Sequence, residues 1–150
     1  MVRRDCSRRS AFTLVEVMIV VVMLAILAGA VLPQFTDSTK DAKSNNAKYN
    51  VQKLRSQIEL YKLHHSGRVP ANLSDLTQKT DASGTVGTTS AFIYGPYLLA
   101  VPQNGFTGSA KVTAASTNPP AAATGADDAG WLYHAATGGV WIDYAALITQ

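Results

Sequence analysis

A single carboxylate, Glu16, stands one turn inside an otherwise apolar run. The text from Arg3 to Pro33 reads RRDCSRRSAFTLVEVMIVVVMLAILAGAVLP. An acidic side chain at mid-bilayer depth costs about 2.5–3.5 kcal/mol, so one that stays there has a cationic or hydrogen-bonding partner. The plainer reading is a polar residue tolerated near the membrane surface. Asp127, Asp128 and Asp143 are the weak candidates for calcium. Calcium takes six to eight oxygen ligands, and the nearby HAATGGVWID offers few, so solvated loop carboxylates are the favoured reading and no metal is expected. His64 and His65 point about 100° apart on a helix and His134 is distant in sequence. They read as surface or helix-end histidines. His65 follows Tyr61 by one turn and is placed to cap the last carbonyls. No nucleophile elbow, phosphate loop, zinc spacing or acid–base carboxylate pair occurs. No catalytic residue and no cofactor are expected, and the chain reads as a structural one rather than an enzyme.

The elements that position Glu16 come next. Residues 12–66 read as one long helix. Its first part, 12–35, is apolar all round, as a lipid-facing helix is. Val17–Leu32 spans about 24 Å, and Phe12–Val15 bring it close to the ~30 Å hydrocarbon core. Gly29 and Pro33 interrupt the run and predict a kink, because proline removes a helical hydrogen bond. Residues 36–66 form the amphipathic half. There Ala47, Val51, Leu54, Ile58 and Tyr61 recur at spacings of four, three, four and three, a stripe facing a core. Leu60 and Leu63 are expected to widen it. Arg55, Glu59 and Lys62 lie off the stripe at one-turn pairing distance. Gly67 and Pro70 stop the helix.

The remainder, 67–150, reads as a small globular region. Asn72 or Ser74 caps a short helix over Leu73–Gln78. Thr80–Ser90 is a loop, Phe92–Phe106 packs irregularly over the helix, and Ser109–Thr113 is a short strand. Ala114–Gly130, rich in Ala, Pro and Thr, reads as a mobile loop. Trp131–His134 and Val140–Asp143 flank a Gly-rich turn and form a hairpin within 131–143. Alternation places Trp131 and Tyr133 on one face and Leu132 and His134 on the other. The expected fold class is α+β, a long N-terminal helix packed on a small C-terminal antiparallel sheet.

Charge sharpens the division. The chain carries 13 basic and 10 acidic residues. Arg3, Arg4, Arg8, Arg9 and Asp5 lie within residues 1–11, which leaves nine of each sign beyond them. The pI of about 9.1 thus belongs to the first eleven residues, and no basic stripe for nucleic acid remains. The single cysteine, Cys6, excludes an intramolecular disulfide. Arginines before the run place residues 1–11 in the cytoplasm and the rest outside the inner membrane.

Ser10-Ala11-Phe12-Thr13-Leu14-Val15-Glu16 followed by Val17–Leu32 resembles the class III signal of type IV pilins and type II secretion pseudopilins. The resemblance implies a leader, 1–11, cut by a prepilin peptidase between Ala11 and Phe12. It implies methylation of the new amine on Phe12. It also implies that Glu16 pairs with that amine on a neighbouring subunit, so that the leader must go before Glu16 has anything to bind. Where the family usually has Gly before the cut, this chain has Ala11. QIELYKLHHSGRVP, from Gln57 to Pro70, is similar to the end of the long helix in type II pseudopilins. The missing C-terminal cysteine pair tilts the likeness toward the major pseudopilin, whose calcium loop HAATGGVWID does not reproduce.

The implied protein is a periplasmic pseudopilus subunit that drives protein export. Its implied partners are its own copies, other pseudopilins, the prepilin peptidase, an inner-membrane assembly platform and the bilayer. A type IV or minor pilin for adhesion, motility or DNA uptake shares the same N-terminus. A reading of another class is a secreted soluble protein cleaved after Ala30, where Ala28-Gly29-Ala30 fits signal peptidase.

Overall fold

Helix α1, Leu14–His64, dominates the chain. It belongs to a computed structural model that describes residues 12–125, 129–145 and 147–148. The chain divides into two compact units between Lys40 and Asp41. In the first unit α1 contains Leu14–Val31, 18 residues with a mean hydropathy of 2.8 and none of the span buried. The α-helical backbone continues through Gly29 and Pro33. Pro33 has no N–H for the Gly29 carbonyl four residues back, and the space around Gly29 is open.

In the second unit the helical stripe is buried as its spacing predicts. Ala47, Val51, Leu54, Ile58 and Tyr61 are each 2% exposed or less. Burying a large apolar side chain contributes about 1.5–3 kcal/mol, so this stripe is the main anchor of the unit. Leu60 and Leu63 do not widen it: they are 39% and 80% exposed. Both sit on the far side of the helix from the stripe, beyond the arc that the globular part covers. Lys62 pairs with Glu59 at 2.6 Å. Arg55 instead reaches across to donate to the Val140 carbonyl at 3.0 and 3.3 Å. The helix stops where Ser66 and Gly67 turn to positive φ, 55° and 85°. Gly67 N–H then closes on the Lys62 carbonyl at 2.8 Å.

The expected short helix is present as a 3₁₀ helix, Leu73–Thr77, with Asn72 at its N-cap. Its start is fixed by the Asp75 carboxylate, which accepts from the Asn72 N–H at 2.9 Å. Three strands follow: β1 Val112–Ala114, β2 Trp131–His134 and β3 Gly139–Ile142. They form one sheet in the order β1-β2-β3. The β2–β3 pair is the expected antiparallel hairpin, with Leu132 opposite Trp141. β1 lies three residues further along than its sequence suggests at the start and pairs parallel to β2, Thr113 opposite Leu132. The sheet is therefore mixed. The long connection from 115 to 130 lets the chain return in the same direction, which a tight turn does not.

Alternation sorts the hairpin as expected. Trp131, Tyr133, Val140 and Ile142 join the helical stripe, Leu73, Leu76 and Leu98 in one core cluster. Leu132, Trp141 and Ile148 form a smaller cluster on the opposite face, with Ala115 and Ala123 against it. At the turn, Gly138 adopts φ +74°. A Cβ there would meet Val69 Cγ1 at 2.8 Å and Ile58 Cγ2 at 3.1 Å, so glycine is required for both conformation and space.

The 92–106 segment packs over this core as expected. Tyr97 and Leu98 N–H groups both donate to the Leu76 carbonyl, at 2.8 and 2.9 Å. Asn104, fully buried, donates to the Gly130 carbonyl at 2.9 Å. Trp131 Nε1–H donates to the Pro102 carbonyl at 2.7 Å.

Candidate functional site

The sequence singles out Glu16, and its geometry is a reciprocal helix cap. Thr13 sits just before Leu14, the first helical residue. The Glu16 carboxylate Oε2 accepts from Thr13 N–H at 3.1 Å and from Thr13 Oγ1–H at 3.0 Å. Thr13 Oγ1 accepts in turn from Glu16 N–H at 3.3 Å. This is the S/T-x-x-E capping box, in which two orphan N–H groups of the first turn are satisfied together. The negative charge also faces the positive end of the helix dipole. Glu16 therefore has a partner within its own chain, with no cut required. The expectation that it has nothing to bind until the leader goes is corrected by this cap. The letters T-x-x-E carry the signal of that cap within the apolar run.

Around that cap everything is apolar and uncovered. Phe12 is 82% exposed and Leu14 79%, and every side chain from Phe12 to Val31 is exposed. Ala11 and the leader lie outside the described residues, as do Asp127 and Asp128. Asp143 is described, just past β3, and is 3% exposed. Its carboxylate accepts from Thr124 N–H at 2.8 Å and from Thr124 Oγ1–H at 2.6 Å. It ties Thr124, in the 115–125 segment, to the end of β3. Among the described residues no three His, Cys, Asp or Glu side chains converge on a metal-sized site.

His65 departs from the surface reading. It is fully buried and stacks on Tyr61 with ring centroids 3.8 Å apart. Nδ1 lies 2.8 Å from the Tyr61 carbonyl and Nε2 lies 3.0 Å from Thr80 Oγ1. Its expected role in capping a terminal carbonyl holds, and it also clasps the 80–94 segment. That segment is paired by backbone, Thr80 with Tyr94. His64 Nδ1 lies 3.0 Å from the Tyr97 hydroxyl, and His64 stacks on Tyr94. Burial holds the Tyr61 and Tyr97 hydroxyls above their ordinary pKa. These are packing roles. A groove of ≈ 510 Å³ beside β1 is lined by Ala71, Leu73, Val101, Val112, Ala114 and Tyr133, among others. The Tyr133 hydroxyl is committed to the Pro70 carbonyl at 2.6 Å, which leaves the groove without a reactive group at that position.

Comparison with known proteins agrees with this distribution of features. Residues 6–32 match the prokaryotic N-terminal methylation motif. Residues 34–127 match type II secretion system protein G. The type II secretion system core protein G of Aeromonas hydrophila is 30% identical over 97 residues, 65% of this chain and 67% of that protein. That of Pseudomonas aeruginosa is 41% identical over 56 residues, 37% of this chain and 39% of the relative, so the chain spans well under half of that protein. The competence protein ComGC of Halalkalibacterium halodurans is 31% identical over 77 residues, 51% of this chain and 74% of that protein. No solved structure matches the chain. With the methylation motif at its start and one family matched over more than half of its length, the chain belongs to the type II secretion system protein G family of pseudopilins.

Proposed function

We propose that this chain is a structural subunit that polymerises into a periplasmic pseudopilus and drives protein export. The observation that carries this is the coincidence of the methylation motif, residues 6–32, with an 18-residue apolar helical span, Leu14–Val31, that is exposed among the described residues. Such a surface is stored in a bilayer and is available to copies of itself. A prepilin peptidase cuts between Ala11 and Phe12, and Phe12 is methylated on its new amine. Residues 1–11 lie in the cytoplasm and the region beyond the span in the periplasm. Glu16 pairs with the Phe12 amine of a neighbouring copy, and Gly29 and Pro33 give the helix a softened segment. Other pseudopilins and an inner-membrane assembly platform complete the machine.

The subunit performs no catalysis and needs no cofactor. Asp143 is held by Thr124, and calcium ligation by Asp127, Asp128 and Asp143 is not part of this reading. Deleting the gene tests the proposal. Exported proteins should accumulate inside the cell and return to the medium on complementation. Normal export would defeat it.

The likeness to ComGC favours one second reading, a pilin-like filament for DNA uptake. It predicts loss of transformation with export intact in the same deletion strain.

A further inference from the structure

We propose that the open edge of β1 is a docking groove for residues 121–123 of a second copy of this chain. This inference rests on the assembly reading above and goes past it, to a contact between globular units. The two edges of the sheet are finished differently. On β3 the outward carbonyls are taken. Val140 accepts from Arg55 at 3.0 and 3.3 Å, and Ile142 accepts from the Tyr144 N–H at 2.9 Å. β1 pairs only with β2. The Lys111 carbonyl accepts from Trp131 N–H, and Ala115 N–H donates to the Tyr133 carbonyl, each at 2.8 Å. Alternation then turns the N–H and C=O of Thr113 toward β2 and those of Val112 and Ala114 away from it. Among the described residues these outward groups have no partner. An open edge is a template for another strand, and Val-Thr-Ala carries neither the proline nor the charge that usually guards one.

Val112 and Ala114 line the ≈ 510 Å³ groove together with Ala71, Leu73, Val101 and Ala110. Among the described residues no charged side chain lines it. The occupant must therefore be uncharged and slender, with unpaired backbone of its own. Residues 112–125 carry no charge. Within them Ala121 and Ala122 are exposed and lie in no helix or strand. Among the described residues they make no backbone hydrogen bond. Groove and segment lie on opposite faces of the sheet. Leu73 and Tyr133, in the groove, belong to the cluster under the helical stripe, whereas Ala123 packs on the Leu132, Trp141 and Ile148 side. One copy cannot dock its own segment. A contact between two different patches runs head to tail and repeats from copy to copy. Main-chain hydrogen bonds supply affinity in such strand addition, and the groove's small side chains let the backbones approach.

Full-length chains in a Cys6→Ser background test this in a host lacking its own copy. Ala114→Cys and Ala122→Cys in one chain should give a ladder of disulfide-linked multimers under oxidation, and neither alone should. Ala114→Pro removes the outward N–H and spares the β1–β2 ladder, because proline is tolerated where an edge N–H faces outward. Ala71→Arg puts a charge in the groove and leaves β1 unchanged. Each should yield about five-fold fewer chemically crosslinked multimers than the parent, the scale of one lost hydrogen bond. Membrane level and globular melting temperature should not move, and Ala71→Arg decides alone if Ala114→Pro lowers the latter. A missing ladder, a disulfide to a different protein in its place, or folded variants that multimerise like the parent would overturn the docking. The assembly reading survives those results, because the parent still multimerises. A parent chain without multimers would sink both.

Discussion

Helix α1 carries apolar side chains in both of its halves, and the halves dispose of them differently. From Leu14 to Val31 nothing is buried. From Ala47 to Tyr61 the stripe is 2% exposed or less. The first half is apolar on every face and the second on one face, with Lys48, Lys53 and Glu59 among the residues of the others. The contrast separates two kinds of burial. The second half satisfies its apolar surface within the chain and so defines a folded unit. The first leaves that need open, with none of its span buried. Stability and assembly are therefore separable properties of one continuous helix.

That separation makes predictions, the largest first. Leu54→Ala removes a fully buried side chain and should destabilise the globular unit by about 2–5 kcal/mol. Thermal unfolding of the full chain in detergent would show it. Leu24→Ala, 59% exposed before truncation, should leave the same transition unmoved. The reverse experiment is Val21→Asp in the span. It should cost about 2.5–3.5 kcal/mol of insertion, seen as chain lost from the membrane fraction, with no change in the globular melting temperature. If either substitution moved both properties, the two halves would not be independent.

Within the globular unit, Thr124→Val strips the hydroxyl from the buried Asp143 carboxylate. The expected loss is about 1–3 kcal/mol, read by the same unfolding experiment. Gly138→Ala should lose about 1–2 kcal/mol from its positive φ. The contacts with Val69 and Ile58 add to that.

The smallest effect at neutral pH belongs to Tyr133. Burial, followed by the charge of Asp75 and the nearby Tyr61, raises its hydroxyl pKa well above the ordinary 10.0. The folded state thus keeps a proton that the unfolded state releases. That contribution is fully present below about pH 10 and is lost as the pH climbs past it. Melting temperature should fall on the alkaline side, and Tyr133→Phe should flatten that slope while removing the bond to Pro70.

Legibility in the sequence followed the locality of each feature. The stripe from Ala47 to Tyr61 and the alternation of Trp131 to His134 depend only on period, and both are found as read. The parallel pairing of β1 depends on where a distant segment returns, which Val112–Ala114 alone do not encode. His65 was half legible. Its spacing from Tyr61 put it on the stripe, whereas its burial required Thr80 to arrive from another segment. Thr13 is legible as the first letter of T-x-x-E, a local cap signal set inside a run whose hydropathy alone marks a membrane span. The exposure of Leu60 and Leu63 follows from the helical period, which sets both on the far side from the stripe, and their hydropathy alone conceals it.

The fate of Phe12 is the most direct test of assembly. Intact-mass analysis of the chain purified from its own membrane reads the mature N-terminus. The predicted result is a chain beginning at Phe12 with a methyl group on its amine and the Leu14–Val31 span retained. A chain beginning at Val31, or one that keeps Met1, would contradict it.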